Sequence, residues 1–128
     1  MAIALNQIGQ IALLVDDLDK AEQFYEQALG LRKLFRYGDL AFFDCAGVRL
    51  LVEKSNVQPI PGNSVIYFRT ADIALTMKTL QSRGVVFVDT PHLISPMEDH
   101  DLWMVFFKDT SGNLLALMQE APKGYTPE

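Results

Sequence analysis

Three groups of side chains in this 128-residue chain have types and spacings suited to chemistry. The densest is Glu98–Asp99–His100–Asp101, running on into Leu102 and Trp103. An imidazole flanked by carboxylates can take up and release a proton near neutral pH, so His100 with Glu98 is a candidate general acid–base pair. His92 stands earlier in the same polar stretch. The competing reading is a solvated loop whose charges never meet a substrate, set against the frequent use of long loops as lids. Trp103 either anchors a strand in the core or offers a stacking surface to a planar ligand. The second group is Arg49, Glu53 and Arg69: either arginine could pair with Glu53, or the planar fork of Arg69 could take a ligand carboxylate. The third is a single amide, Gln10, which interrupts an apolar run. A buried amide must be hydrogen-bonded, so Gln10 either satisfies a backbone group or orients a ligand carbonyl. Cys45 sits in a turn with no Lys, Arg or His beside it and reads as unreactive. No nucleophile elbow, phosphate-binding loop or dinucleotide fingerprint is present.

The elements that must position these groups follow one pattern, written twice. Ile8–Val15 is almost wholly apolar and predicts a buried strand. Asp17 is placed to cap a helix whose apolar stripe is Leu18, Ala21, Phe24, Tyr25, Ala28 and Leu29, and Gly30 stops it. Strands are expected at Leu31–Tyr37, Leu40–Asp44 and Val48–Lys54, with turns at Gly38 and Gly47. A connector holding Pro59, Pro61 and Gly62 ends the first half. In the second half Val65–Thr70 predicts a strand, Asp72 caps a helix with Ile73, Met77 and Leu80 on its core side, and Gly84 ends it. Val85–Val88, Leu102–Phe107 and Leu114–Gln119 predict the remaining strands, with Asp109–Thr110–Ser111–Gly112 matching the earlier turn Asp44–Cys45–Ala46–Gly47. The turn glycines lie about ten positions further apart than the capping aspartates, and the polar segment Asp89–Asp101 is expected to hold the excess as a loop.

Composition narrows the classes. A content of 49% hydrophobic residues is enough for a packed core, which argues against disorder. A net charge of -5 without a Lys/Arg cluster argues against nucleic acid as a partner. No apolar run approaches the roughly 20 residues of a membrane-spanning helix, and Met1–Leu5 does not begin a signal peptide. One cysteine permits no internal disulfide, so a cytoplasmic protein is expected.

The segment Gln10–Leu18, continuing to Phe24–Tyr25 and Leu29–Gly30–Leu31, resembles the opening module of vicinal oxygen chelate proteins, the glyoxalase, bleomycin resistance protein and dioxygenase superfamily. Asp109–Thr110–Ser111–Gly112–Asn113 resembles their closing hairpin, and the resemblance runs from about Ile8 to Glu120. It implies an α+β fold: two βαβββ modules, about 6–54 and 64–120, forming curved mixed sheets around a shared cleft with helices outside, as a single domain over 1–128. It also implies a homodimer, as in many relatives. The metal ligands of the family map to Gln10 and Leu51 in the first module and to Val65 and Ala116 in the second. Only Gln10 offers a donor atom, and aliphatic side chains ligate nothing, so no metal and no other cofactor is expected.

Strand parity agrees with that mapping, because residues two apart share a face. Val48, Leu50 and Val52 form a purely apolar face, whereas Arg49, Leu51 and Glu53 form a mixed one. Val65, Tyr67 and Arg69 likewise oppose Ile66 and Phe68. The expected cleft is lined by Gln10, Ala12, Arg49, Leu51 and Glu53 from the first module, and by Val65, Tyr67, Arg69, Ala116 and Met118 from the second. Trp103 is added as a possible stacking surface. The leading functional expectation is a metal-independent binder of a small apolar or aromatic molecule, like the antibiotic-sequestering relatives. The alternatives are a lyase or isomerase of the glyoxalase or epimerase type, or a dioxygenase, using displaced metal ligands or His100 and Glu98. A structural module with a vestigial cleft is the third.

Overall fold

A computed structural model describes residues 3, 5–57, 62 and 64–128; the expected connector prolines Pro59 and Pro61 lie outside them. The chain divides into two compact units, Met1–Pro61 and Gly62–Glu128.

In the first unit, β1 (Gln10–Val15) leads to α1 (Leu18–Gln23), followed by β2 (Arg32–Tyr37), β3 (Leu40–Cys45) and β4 (Val48–Lys54). The sheet order is β1-β4-β3-β2, with β1 parallel to β4 and the other pairs antiparallel. Asp17 caps α1 as the sequence predicts, its Oδ1 accepting from the Lys20 N–H at 3.1 Å. The helix does not stay regular: Phe24–Ala28 forms a π-helical turn, in which the Leu29 N–H donates to the Phe24 carbonyl at 3.0 Å. Widening the turn brings the adjacent rings Phe24 and Tyr25 onto the buried side together, edge to face at 5.3 Å. Tyr25 is fully buried and meets Phe43 of β3 at 6.1 Å. Burying a ring of this size stabilises by about 2–3 kcal/mol. Gly30, at φ 78°, then turns the chain where a side chain would be strained.

The second unit repeats this plan with β5 (Ile66–Arg69), α2 (Ile73–Ser82), β6 (His92–Pro96), β7 (Asp101–Lys108) and β8 (Leu114–Ala121). Its order, β5-β8-β7-β6, is the same arrangement. Asp72 caps α2 through the Leu75 N–H at 3.1 Å. Gln119 adds a second tie: its Oε1 accepts from the Ile73 N–H at 2.8 Å and its Nε2 donates to the Ala71 carbonyl at 2.9 Å. The core between α2 and its sheet is built on Ile73, Leu80, Val105, Phe107, Leu115 and Leu117.

One expected element is displaced. Val85–Val88 forms no strand; Phe87 makes an isolated bridge to Phe107, and the strand beside β7 is His92–Pro96. The segment read as one long loop therefore holds an edge strand, and its connection to β7 is only residues 97–100. Among the described residues no helix is long and apolar enough to cross a membrane.

Candidate functional site

In each unit the helix covers one sheet face, and pairing register fixes which side chains share the other. On the helix side of the first sheet, Lys33 reaches Glu22 at 3.0 Å and Arg36 pairs with Asp19. The opposite face is therefore built from Gln10, Ala12 and Leu14 of β1, Arg49, Leu51 and Glu53 of β4, and Leu40, Phe42 and Asp44 of β3. On β2, Arg32 and Tyr37 join it, with Phe35 set opposite Phe42 across a bulge between Lys33 and Phe35. All five site residues expected from the first module lie on this one face.

The expected Arg49–Glu53 pair is not formed. Two residues four apart on one strand are about 13 Å from each other, too far for an ion pair. Arg49 instead donates from Nε to Gln10 Oε1 at 2.8 Å, across the parallel β1–β4 pairing that sets the two opposite each other. Its guanidinium carbon lies 5.3 Å from the Phe42 ring centroid, within cation–π range. Phe42 in turn stacks on Phe35 at 4.5 Å with the planes 24° apart. Among the described residues the Gln10 side chain thus bonds a side chain and not the backbone.

The helix-free face of the second sheet carries Tyr67 and Arg69 of β5, Ala116, Met118 and Glu120 of β8, Leu102, Met104 and Phe106 of β7, and His92 of β6. Val65 precedes the strand, which starts one residue later. Ala116 is fully buried between the positions of Tyr67 and Phe106, whose rings meet edge-on at 6.1 Å. His92 stacks on Phe106 at 6.0 Å. Trp103 is not part of this face: it pairs with Gln119 on the helix side, beside Val105 and Phe107 in alternation, and its indole N–H is buried without an acceptor among the described residues. Of the two roles the sequence leaves open for Trp103, this placement agrees with the core anchor of its strand.

The loop chemistry is also rearranged. His100 Nδ1 meets Asp99 Oδ1 at 2.7 Å and its Nε2 lies 3.5 Å from Glu120 Oε2, while Glu120 Oε1 accepts from Arg69 at 3.1 Å. The carboxylates around His100 are therefore Asp99 and Glu120; Glu98 is exposed and bonds to nothing among the described residues. The His100 hydrogen bond lowers the Asp99 carboxyl below its usual range. Arg69 takes Glu120, a partner that sequence reasoning missed; the parity of β8 beside β5 is the signal that could have found it. Burial, and then the neighbouring Asp44 carboxylate, raise the Cys45 thiol, which leaves it poorly nucleophilic.

The four positions implied as metal ligands do not fit an ion. Leu51, Val65 and Ala116 present only hydrocarbon, and the one oxygen donor, Gln10, is occupied by Arg49. No three His, Cys, Asp or Glu side chains among the described residues come together as a metal cluster.

Comparison with known proteins follows the same outline. The sequence model of the Glyoxalase/Bleomycin resistance protein/Dioxygenase superfamily matches residues 7–117. An uncharacterized protein of Mycolicibacterium smegmatis is 27% identical over 111 residues, 86% of this chain and 91% of that protein. A lactoylglutathione lyase from Agrobacterium tumefaciens superposes with a TM-score of 0.73 at 24% identity, covering 91% of this chain and 95% of the other. A putative glyoxalase family protein from Bacillus anthracis reaches a TM-score of 0.77 at 14% identity, with 94% and 99% covered. At these identities the structural likeness speaks to the fold alone.

Proposed function

Because the chain belongs to the glyoxalase/bleomycin resistance protein/dioxygenase superfamily, we propose that it binds a small apolar or aromatic molecule on its helix-free sheet faces without a metal. The observation that carries this reading is the chemistry at the family's ligand positions. Three of the four are aliphatic, and the fourth is spent on Arg49. Lewis-acid polarisation at that place has no donors to hold the ion. The same faces present rings instead, with Phe35, Tyr37 and Tyr67 each exposed. Apolar and aromatic surface with a few polar groups is the usual make-up of a small-molecule site. Native mass spectrometry of protein purified from cells tests it. The expected result is a non-covalent organic adduct that is lost on denaturation; an adduct of divalent-ion mass in its place would overturn the reading.

A second reading, metal-free acid–base catalysis, is favoured by the chain Asp99–His100–Glu120–Arg69, which reaches the helix-free face of the second sheet. His100→Ala is its test on any substrate found: loss of turnover supports it, and an unchanged rate removes it. We also take the protein to be a homodimer. The support is apolar surface on an edge strand, with Leu93 and Ile94 on β6 exposed. Light scattering during gel filtration decides between dimer and monomer.

A further inference from the structure

The first sheet carries more than apolar surface, and its register shows what the additional chemistry selects. Gln10, Arg49, Asp44 and Arg32 form one cross-strand row on the helix-free face. Ala12, Leu51, Phe42 and Phe35 form the next. Arg49 spends only its Nε hydrogen, on Gln10. Both of its terminal amino groups are without a partner among the described residues. An arginine only donates, so the Gln10 oxygen must face it, which turns the Gln10 amide nitrogen outward as a second, unused donor. Asp44 does not compete: its Oδ1 accepts from the Gly47 N–H at 3.2 Å, and it forms no ion pair with Arg49 or Arg32. The row therefore holds two guanidinium groups against one carboxylate, a net positive charge on one side of the ring stack, while Glu53 lies on its other side. In that stack Phe42 is 9% exposed and Phe35 49%, so the outer ring leaves aromatic surface open on the sheet face.

We infer that this face is a binding site for a planar aromatic carboxylate. The aromatic body lies over Leu51 and the Phe42–Phe35 ring pair, and the carboxylate is held by the Arg49 fork together with the Gln10 amide nitrogen. The Gln10 bond and the Phe42 ring fix the guanidinium in place beforehand, so little side-chain freedom is lost on binding. A planar fork meeting a planar carboxylate in two parallel hydrogen bonds also separates this ligand class from neutral aromatics. The inference rests on the metal-free binding reading and gives it a ligand class.

Calorimetric titration of the full chain with 2-naphthoate and with 2-naphthamide, its neutral isostere, is the test. Naphthoate is expected to bind at least about tenfold more tightly than naphthamide, the size of a charge-assisted hydrogen bond lost. Arg49→Gln should abolish that preference and Arg49→Lys should retain only part of it. Phe35→Ala, on an exposed ring, should weaken both probes alike. Lys78→Gln, the same charge change on the exposed side of α2, should alter neither. Equal affinity for the two probes in the wild type overturns the inference while leaving metal-free aromatic binding intact. So does an Arg49→Gln protein, with its melting temperature kept, that still prefers naphthoate. A wild type that takes neither probe overturns it as well, and stoichiometric divalent metal in that same sample would carry the broader reading down with it.

Discussion

The two units repeat one scaffold and differ on the face that scaffold presents. Each begins with a strand, a capping aspartate and a helix, and each ends in a hairpin whose Asp and Gly sit at matching places. On the first helix-free face this frame holds two arginines, an amide and two stacked phenylalanines. On the second it holds two methionines, a tyrosine, a histidine stacked on phenylalanine, and an Arg–Glu–His chain at the margin. Caps and turns are thus shared because the backbone requires them, whereas the exposed strand positions are free to diverge. The ligand recognition proposed above rests on those divergent positions, which differ between the two faces.

The shared frame is itself unequal, and the largest expected effect lies in the hairpins. Asp109 is buried and accepts from the Ser111 N–H at 2.9 Å, the Asn113 N–H at 2.8 Å and the Asn113 amide at 2.8 Å. Among the described residues Asp44 accepts from the Gly47 N–H alone. Asp109→Ala should cost about 2–3 kcal/mol in urea unfolding and Asp44→Ala about 0.5 kcal/mol. Equal losses would dissolve the distinction. Next is the tie at the start of α2. Gln119→Leu strands the Ile73 N–H and the Ala71 carbonyl, at about 1–2 kcal/mol. Lys54→Leu, at the matching place in the first unit, should stay within about 0.5 kcal/mol. The helix caps should come out alike, with Asp17→Ala and Asp72→Ala each losing about 1 kcal/mol.

Much of this frame was legible in the residues. Asp17 and Asp72, each placed before an apolar stripe, marked both helix starts, and strand parity assigned Arg49, Leu51, Glu53, Tyr67 and Arg69 to the correct face. The same parity, carried to β7, would have placed Trp103 with Val105 and Phe107 on the helix side. The displaced edge strand was not legible, because Val85–Val88 has a strand's composition while its position is set by packing. Val85 is buried and Phe87 lies against Phe107 at 5.1 Å, whereas His92–Pro96 owes its strand to pairing with β7. The partners of Arg49 and Arg69 were hidden for a related reason. Both depend on parallel pairings, β1 with β4 and β5 with β8, that bring together residues far apart in sequence.

The smallest effects concern titration and reactivity. In His100→Ala the Asp99 carboxyl should rise back toward 3.8, followed by carbon-detected NMR. The sign is that of a lowered carboxylate: the interaction is complete above that pH and is lost as pH falls through the depressed folded-state value. Asp99 is fully exposed, so acid unfolding should hardly move. Cys45, its thiol raised by burial, should react with iodoacetamide more slowly than glutathione at pH 8.

Everything proposed for binding depends on hydrocarbon standing where an ion would need donors. Elemental analysis of the native protein, after incubation with manganese, iron, nickel and zinc and exhaustive dialysis, measures that dependence. Substoichiometric metal for all four is the predicted outcome; one of them retained in a fixed ratio to the chain would contradict it.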